Sequence, residues 1–186
     1  MIRRVIIIDG YTDEPAGLGV PPYINTYPRL VAGSIWFANK NIDVKYFTID
    51  MIREYVEKFM KIARTSDVIV VIAGAEIPGR YLGGKPITIG EIERLMMLLD
   101  EKIRVLIGPA ARFGMGLGGG TIALSIRRLR RLFEYIVSGD PEFFFYEAVK
   151  YGWEKAPTIK VRQNYDLANK SFYYGAKIIK QHPNYG

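Results

Sequence analysis

The feature that most limits the fold of this chain is its start, a short apolar run from Arg3 to Ile8 that halts at Asp9-Gly10-Tyr11. Val5-Ile6-Ile7-Ile8 is apolar on both faces, as a central parallel strand must be. Ligands of open parallel sheets settle where such strands end. A loop rich in Gly and Pro follows, from Thr12 to Pro28. Stretches of that length inside a compact domain are functional or disordered. The mixture of glycines with Tyr11, Tyr23 and Tyr27 predicts an ordered loop.

Strand and helix patterns then alternate. Strands are expected at Val5–Ile8, Val44–Thr48, Val68–Ala73, Ile103–Ile107 and Tyr135–Ser138. Helices are expected at Pro28–Asn39, Met51–Thr65, Ile89–Leu99, Ile122–Phe133 and Pro141–Tyr151. Repeated βα units imply an α/β fold: a three-layer, doubly wound, five-stranded parallel sheet with right-handed crossovers. Local signals support the boundaries. Thr88 and Glu91 have capping-box spacing, with Ile87 and Ile92 placed as a hydrophobic staple. Asp140-Pro141 reads as an N-cap and first-turn pair, and capping accounts for Asp140 and Glu142. Ile122, Ile126, Leu129 and Phe133 form an apolar stripe that sets Arg127 and Arg131 one turn apart on another face.

The alternation fades after Tyr151. We divide the chain into an α/β domain, 1–152, and a basic, aromatic extension, 153–186. Trp153, Tyr165, Phe172, Tyr173, Tyr174 and Tyr185 are too many aromatics for a free tail, so the extension is expected to pack on the domain or on a partner. The net charge of +7 is uneven. Residues 121–134 hold Arg127, Arg128, Arg130 and Arg131 against Glu134, and 150–186 carry a net +5. That distribution suits a phosphate-bearing partner such as RNA, with Arg127, Arg128 and Arg131 as contacts; a solvated helix face and tail would look the same.

The chain has no cysteine and one histidine, His182. Disulfides, cysteine nucleophiles, cysteine-bound clusters and multi-histidine metal sites are therefore excluded within these 186 residues. No apolar run approaches the roughly 20 residues of a membrane span, and the basic N-terminus lacks signal-peptide character. A cytoplasmic location is the expectation.

Four expected strand ends carry glycine, at Gly10, Gly74 (followed by Ala75), Gly108 and Gly139 beside Asp140. In a parallel sheet all four lie on one edge, where glycine lets a backbone approach a ligand closely. Gly114, Gly116 and Gly119 match G-x-G-x-x-G, with Gly118 between the last two. Six residues separate Gly108 from Gly114, however, where a dinucleotide fingerprint wants a tight turn. A backbone-lined lid over the edge is the better reading, and a nucleotide or flavin site is the alternative. Asp9, Asp13 and Glu14 could bind Mg²⁺ or supply a base, although structural roles explain them as well.

Asp9-Gly10-Tyr11-Thr12-Asp13-Glu14-Pro15, with Gly17-Leu18-Gly19-Val20-Pro21-Pro22-Tyr23, resembles the start of archaeal radical S-adenosylmethionine Fe–S oxidoreductases that carry an N-terminal cobalamin-binding-like domain. Ser138-Gly139-Asp140-Pro141-Glu142 is similar to the turn that closes many such domains. Gly175-Ala176-Lys177-Ile178-Ile179, with His182-Pro183, is similar to the linker entering the radical domain. The resemblance spans essentially the whole chain. It implies a Rossmann-like, cobalamin-domain-like fold that is not catalytic alone, because the three-cysteine cluster motif is absent. The implied partners are the radical domain, in cis or in trans, and a second copy of the chain.

Ordinary cobalamin domains ligate cobalt through D-x-H-x-x-G. Here the matching positions are Asp9, Tyr11 and Glu14, so no histidine is supplied. The resemblance therefore implies either cobalamin held without that ligand or a fold kept after the cofactor was lost. The implied cofactor positions are Asp9, Gly10, Tyr11, Gly74, Ala75, Gly108, Gly139 and Asp140, with the Gly114–Gly120 loop as a lid.

Overall fold

A computed structural model describes residues 2–11, 26–74, 85–116, 123–124, 129–183 and 185. Five parallel strands form the centre: β1 (Arg4–Asp9), β2 (Asp43–Thr48), β3 (Val68–Ile72), β4 (Ile103–Ile107) and, past the short β5 (Met115–Gly116) and β6 (Ala123–Leu124), β7 (Tyr135–Ile136). Their spatial order is β2-β1-β3-β4-β7. Val5 lies opposite both Val44 and Val68, so β1 is flanked on both edges. Its side chains alternate between two cores. Val5 and Ile7 enter one, and Ile6 and Ile8 the other. That is why this run has no polar face.

The first core is covered by α1 (Thr26–Ala38) and α6 (Pro141–Tyr151), with α7 (Asp166–Gly175) packed on α1. The second is covered by α2 (Ile49–Glu54), α3 (Val56–Ala63), α4 (Ile89–Leu98) and α5 (Pro109–Phe113). The fold is thus the doubly wound, three-layer α/β architecture that the alternation predicts. The capping box at Thr88 forms as read: the Thr88 hydroxyl accepts from the Glu91 amide, and Glu91 accepts from the Thr88 amide at 2.8 Å. Ile87 and Ile92 are both buried, as a staple requires.

Two helices differ from expectation. Met51–Thr65 is broken at Tyr55, whose φ of −126° and ψ of 48° leave the helical region, and it becomes α2 and α3. Over Ile122–Phe133, residues Ala123–Leu124 form β6, paired antiparallel with β5 (Met115–Gly116). Antiparallel pairing with β5 overrides the helical stripe at that end, while Leu129 and Phe133 still reach the core.

Residues 153–183 build on the domain. A 3-10 turn at Trp153–Lys155 leads to an extended segment and α7, which crosses α1 in backbone contact. A Cβ on Gly33 would stand 1.7 Å from the Ser171 carbonyl oxygen, and one on Gly175 would stand 2.0 Å from that of Arg29. A second 3-10 helix, Ala176–Gln181, then descends to the outer edge of β2. There the Gln181 amide accepts from the Tyr46 N–H at 2.9 Å and donates to the Val44 carbonyl at 3.0 Å. One side chain stands in for a neighbouring strand and blunts an edge that would otherwise invite pairing.

Candidate functional site at the carboxyl edge of the sheet

The chain leaves β1 toward α1 on one face and leaves β3 toward α4 on the other. The connections diverge between these adjacent strands, which makes their carboxyl ends the switch point where ligands of such sheets bind. Asp9 ends β1 there, paired in register with Thr48 and Ile72.

Asp9 is 2% exposed. It shares a sheet face with Ile7, and across the ladder Tyr46 does the same from β2. The Tyr46 hydroxyl therefore donates to Asp9 Oδ2 at 2.8 Å, while the Tyr11 N–H donates to Oδ1 at 3.2 Å. Burial pushes the Asp9 carboxyl up to about 6, against the pull of the Tyr46 and Tyr11 hydrogen bonds. The ring of Tyr46 stacks on His182, centroid to centroid 6.2 Å. His182 is buried too, and desolvation lowers its pKa. A carboxyl titrating near neutrality can donate a hydrogen bond in one state and accept two in the other, which suits a proton-exchanging or ligand-orienting role. Sequence reasoning singled out Asp9 and Tyr11 but missed Tyr46 and His182. No local pattern marks either, beyond His182 being the sole histidine.

The edge glycines are closely packed, but for reasons internal to the chain. A Cβ on Gly10 would strike Ile87 Cγ2 at 2.3 Å, because the Ile87 N–H donates to the Gly10 carbonyl. A Cβ on Gly74, at φ 91°, would stand 2.3 Å from the Ala110 amide nitrogen, and one on Gly108, at φ 89°, 2.8 Å from the Ala73 carbonyl oxygen. The β3 and β4 loops thus interlock, with the Ala110 N–H donating to the Ala73 carbonyl. Gly114, at φ 81°, terminates α5, and Gly116 belongs to β5.

Gly139 is covered by the extension: a Cβ would meet the Lys160 carbonyl oxygen at 2.4 Å. Asp140 makes no side-chain cap bond, contrary to the capping explanation. Its Oδ2 accepts instead from the Arg162 N–H at 2.7 Å, and Arg162 Nη2 lies 3.2 Å from Oδ1. The same Nη2 reaches Glu142 Oε1 at 2.9 Å. Glu142 is wholly buried, and burial raises its pKa. Nothing near Asp140 in sequence announces Arg162.

Arg131 is exposed. Ala75, Gly118, Gly119, Arg127, Arg128, Asp13 and Glu14, with most of the first loop and of the expected lid, lie outside the described residues. Among the described residues no group of three or more His, Cys, Asp or Glu could hold a metal ion, and no helix is long and apolar enough to cross a membrane.

No protein-family model matches the chain, and no solved structure matches it. Two archaeal proteins do. Over all 186 residues the chain is 37% identical to an uncharacterized protein of Methanocaldococcus jannaschii, of which it covers 33%. Over 98% of its length it is 33% identical to an uncharacterized protein of Archaeoglobus fulgidus, of which it covers 30%. The chain spans about a third of the length of the curated relatives it matches.

Proposed function

We propose that this chain is an accessory, ligand-binding unit of a radical S-adenosylmethionine Fe–S oxidoreductase, with the reaction chemistry supplied by a cysteine-bearing domain outside these 186 residues. The observation that carries the reading is Asp9, a buried carboxyl at the switch point of a doubly wound sheet, set in the loop whose sequence resembles that family. The full-length match to a third of two longer archaeal proteins supports it, since a unit of this kind accompanies further chain.

Cobalamin does not fit the described part of the edge. Gly10, Gly74, Gly108 and Gly139 each face the chain's own atoms, so none offers an open face to a corrin. The position of the cobalt ligand is Tyr11, a phenol. The accessory role is therefore drawn without cobalamin chemistry.

The test is anaerobic purification of the longer Methanocaldococcus jannaschii protein beside the 186-residue chain. The longer protein is expected to show the visible absorption of an iron–sulfur cluster, and to cleave S-adenosylmethionine reductively; the short chain should do neither. A longer protein without an iron–sulfur cluster overturns the reading. In the same preparation hydroxocobalamin should give no saturable shift of its visible band with the short chain.

A further inference from the structure

A different face of the molecule, away from the Asp9 edge, combines rings and lysines. Tyr146 of α6 stacks on Phe37 of α1 at 5.4 Å, Phe37 meets Tyr174 of α7 at 5.4 Å, and Tyr174 meets Tyr173 at 5.6 Å. Three helices thereby contribute one continuous row of four rings. Tyr173 at its end is 80% exposed. Lysines flank the row: Lys150 lies over Tyr146 and Lys170 over Phe37.

The chain at the ends of α1 and α7, which carry three of these rings, lines a cleft. Trp36, next to Phe37, carries Lys177 over its ring at 3.8 Å, and both line an open cleft of about 480 Å³ together with Lys40 and Lys180. The acid of that cleft is Asp43, which is already paired with Arg4 at 2.7 Å and Lys45 at 3.1 Å. Asp166, at the start of α7, is the one acid of that helix.

Alternating cations and stackable rings match one polymer chemistry. A single nucleic-acid strand presents a phosphate and a flat base at every step, and proteins hold it with a basic groove beside aromatic platforms. A duplex hides its bases, and an acidic peptide has no flat group for each charge. We infer that this face binds single-stranded nucleic acid, with phosphates in the lysine cleft and bases along the row ending at Tyr173. The inference does not rest on the proposed function, because it uses neither Asp9 nor the carboxyl edge.

The experiment is fluorescence anisotropy of a labelled 12-nucleotide oligo(U) with the 186-residue chain, at a series of salt concentrations. Saturable binding should weaken with salt by about 0.7 logarithmic units per decade for each phosphate neutralised. The triple variant Lys40→Gln, Lys177→Gln, Lys180→Gln should flatten that slope. Tyr173→Ala, at a side chain that is largely in solvent, should weaken binding about five- to tenfold and leave the slope unchanged. Circular dichroism melting checks that both variants stay folded. Absence of saturable binding overturns the inference, as does duplex RNA binding as tightly as the single strand. Polyglutamate competing equally in wild type and Tyr173→Ala marks an acidic protein surface as the partner and overturns it as well.

Discussion

At the scale of single residues, a buried acid reveals itself through pH. The Asp9 carboxyl titrates near 3.9 in an unfolded chain and at about 6 in the folded one, because burial disfavours its charge. A raised folded-state pKa means that its stabilising contribution is full below about pH 4 and lost as pH rises through 6. The span amounts to about 3 kcal/mol. Urea denaturation of wild type and Asp9→Asn from pH 4 to 7 should therefore show wild type losing up to about 3 kcal/mol relative to the variant. A constant difference would mean that Asp9 is charged throughout. Glu91 acts in a separate window. Partial burial raises its pKa, but hydrogen bonds from Arg53 and Thr88 prevail and hold it at about 2, so its contribution fades only as pH falls from about 4.5 toward 2. Tyr46→Phe removes the hydroxyl that donates to Asp9, and should move the Asp9 titration above 6.

At the scale of elements, two kinds of helical glycine separate. Gly90 in α4 has open space where a Cβ would go, whereas Gly33 in α1 and Gly175 in α7 touch opposing backbone. Gly90→Ala should raise stability by about 0.5–1 kcal/mol through helix propensity. Gly33→Ala should lower it by at least about 1–3 kcal/mol, because α1 and α7 must separate and propensity cannot offset that. Thermal melts of the two variants moving in the same direction would refute the helix crossing. This contrast also shows what the sequence can tell. The strands were legible because β1 and β3 are apolar on both faces, and α4 because Thr88 and Glu91 cap it locally. The break at Tyr55 carries no such mark. The stripe from Ile122 to Phe133 has helical spacing, yet β6 pairs with Met115–Gly116 instead. In the site, Asp9 was legible from its place at the end of a strand. Arg162, Tyr46 and His182 were not, since each meets its partner across tens of residues that leave no local pattern.

At the scale of the whole molecule, the extension divides into parts that the fold uses differently. Residues 158–162 lie along Gly139–Asp140, with the Gly139 N–H donating to Thr158 and the Asp140 N–H to Lys160. α7 covers α1, Ala168 and Ile178 are buried, and Gln181 closes the edge of β2. Removing residues 164–186 would expose the close-packed face of α1 and an unpaired strand edge at once. Lost apolar burial costs about 25 cal/mol per Å², and an open edge favours association with a second chain. The 1–163 fragment should therefore lose its cooperative melting transition or elute as aggregates in size-exclusion chromatography. Gln181→Ala in the full chain isolates the edge: it should leave the melt cooperative, cost about 1 kcal/mol, and increase association at high concentration. If the fragment instead stays monomeric and melts at the temperature of the full chain, α7 is an appendage and the core ends at α6. In that event the row of rings from Tyr146 to Tyr173 would join a fixed helix to a detachable one, and oligonucleotide binding should then protect α7 amides from hydrogen exchange. With α7 integral to the core, those amides are protected already, and the same oligonucleotide should leave their exchange unchanged.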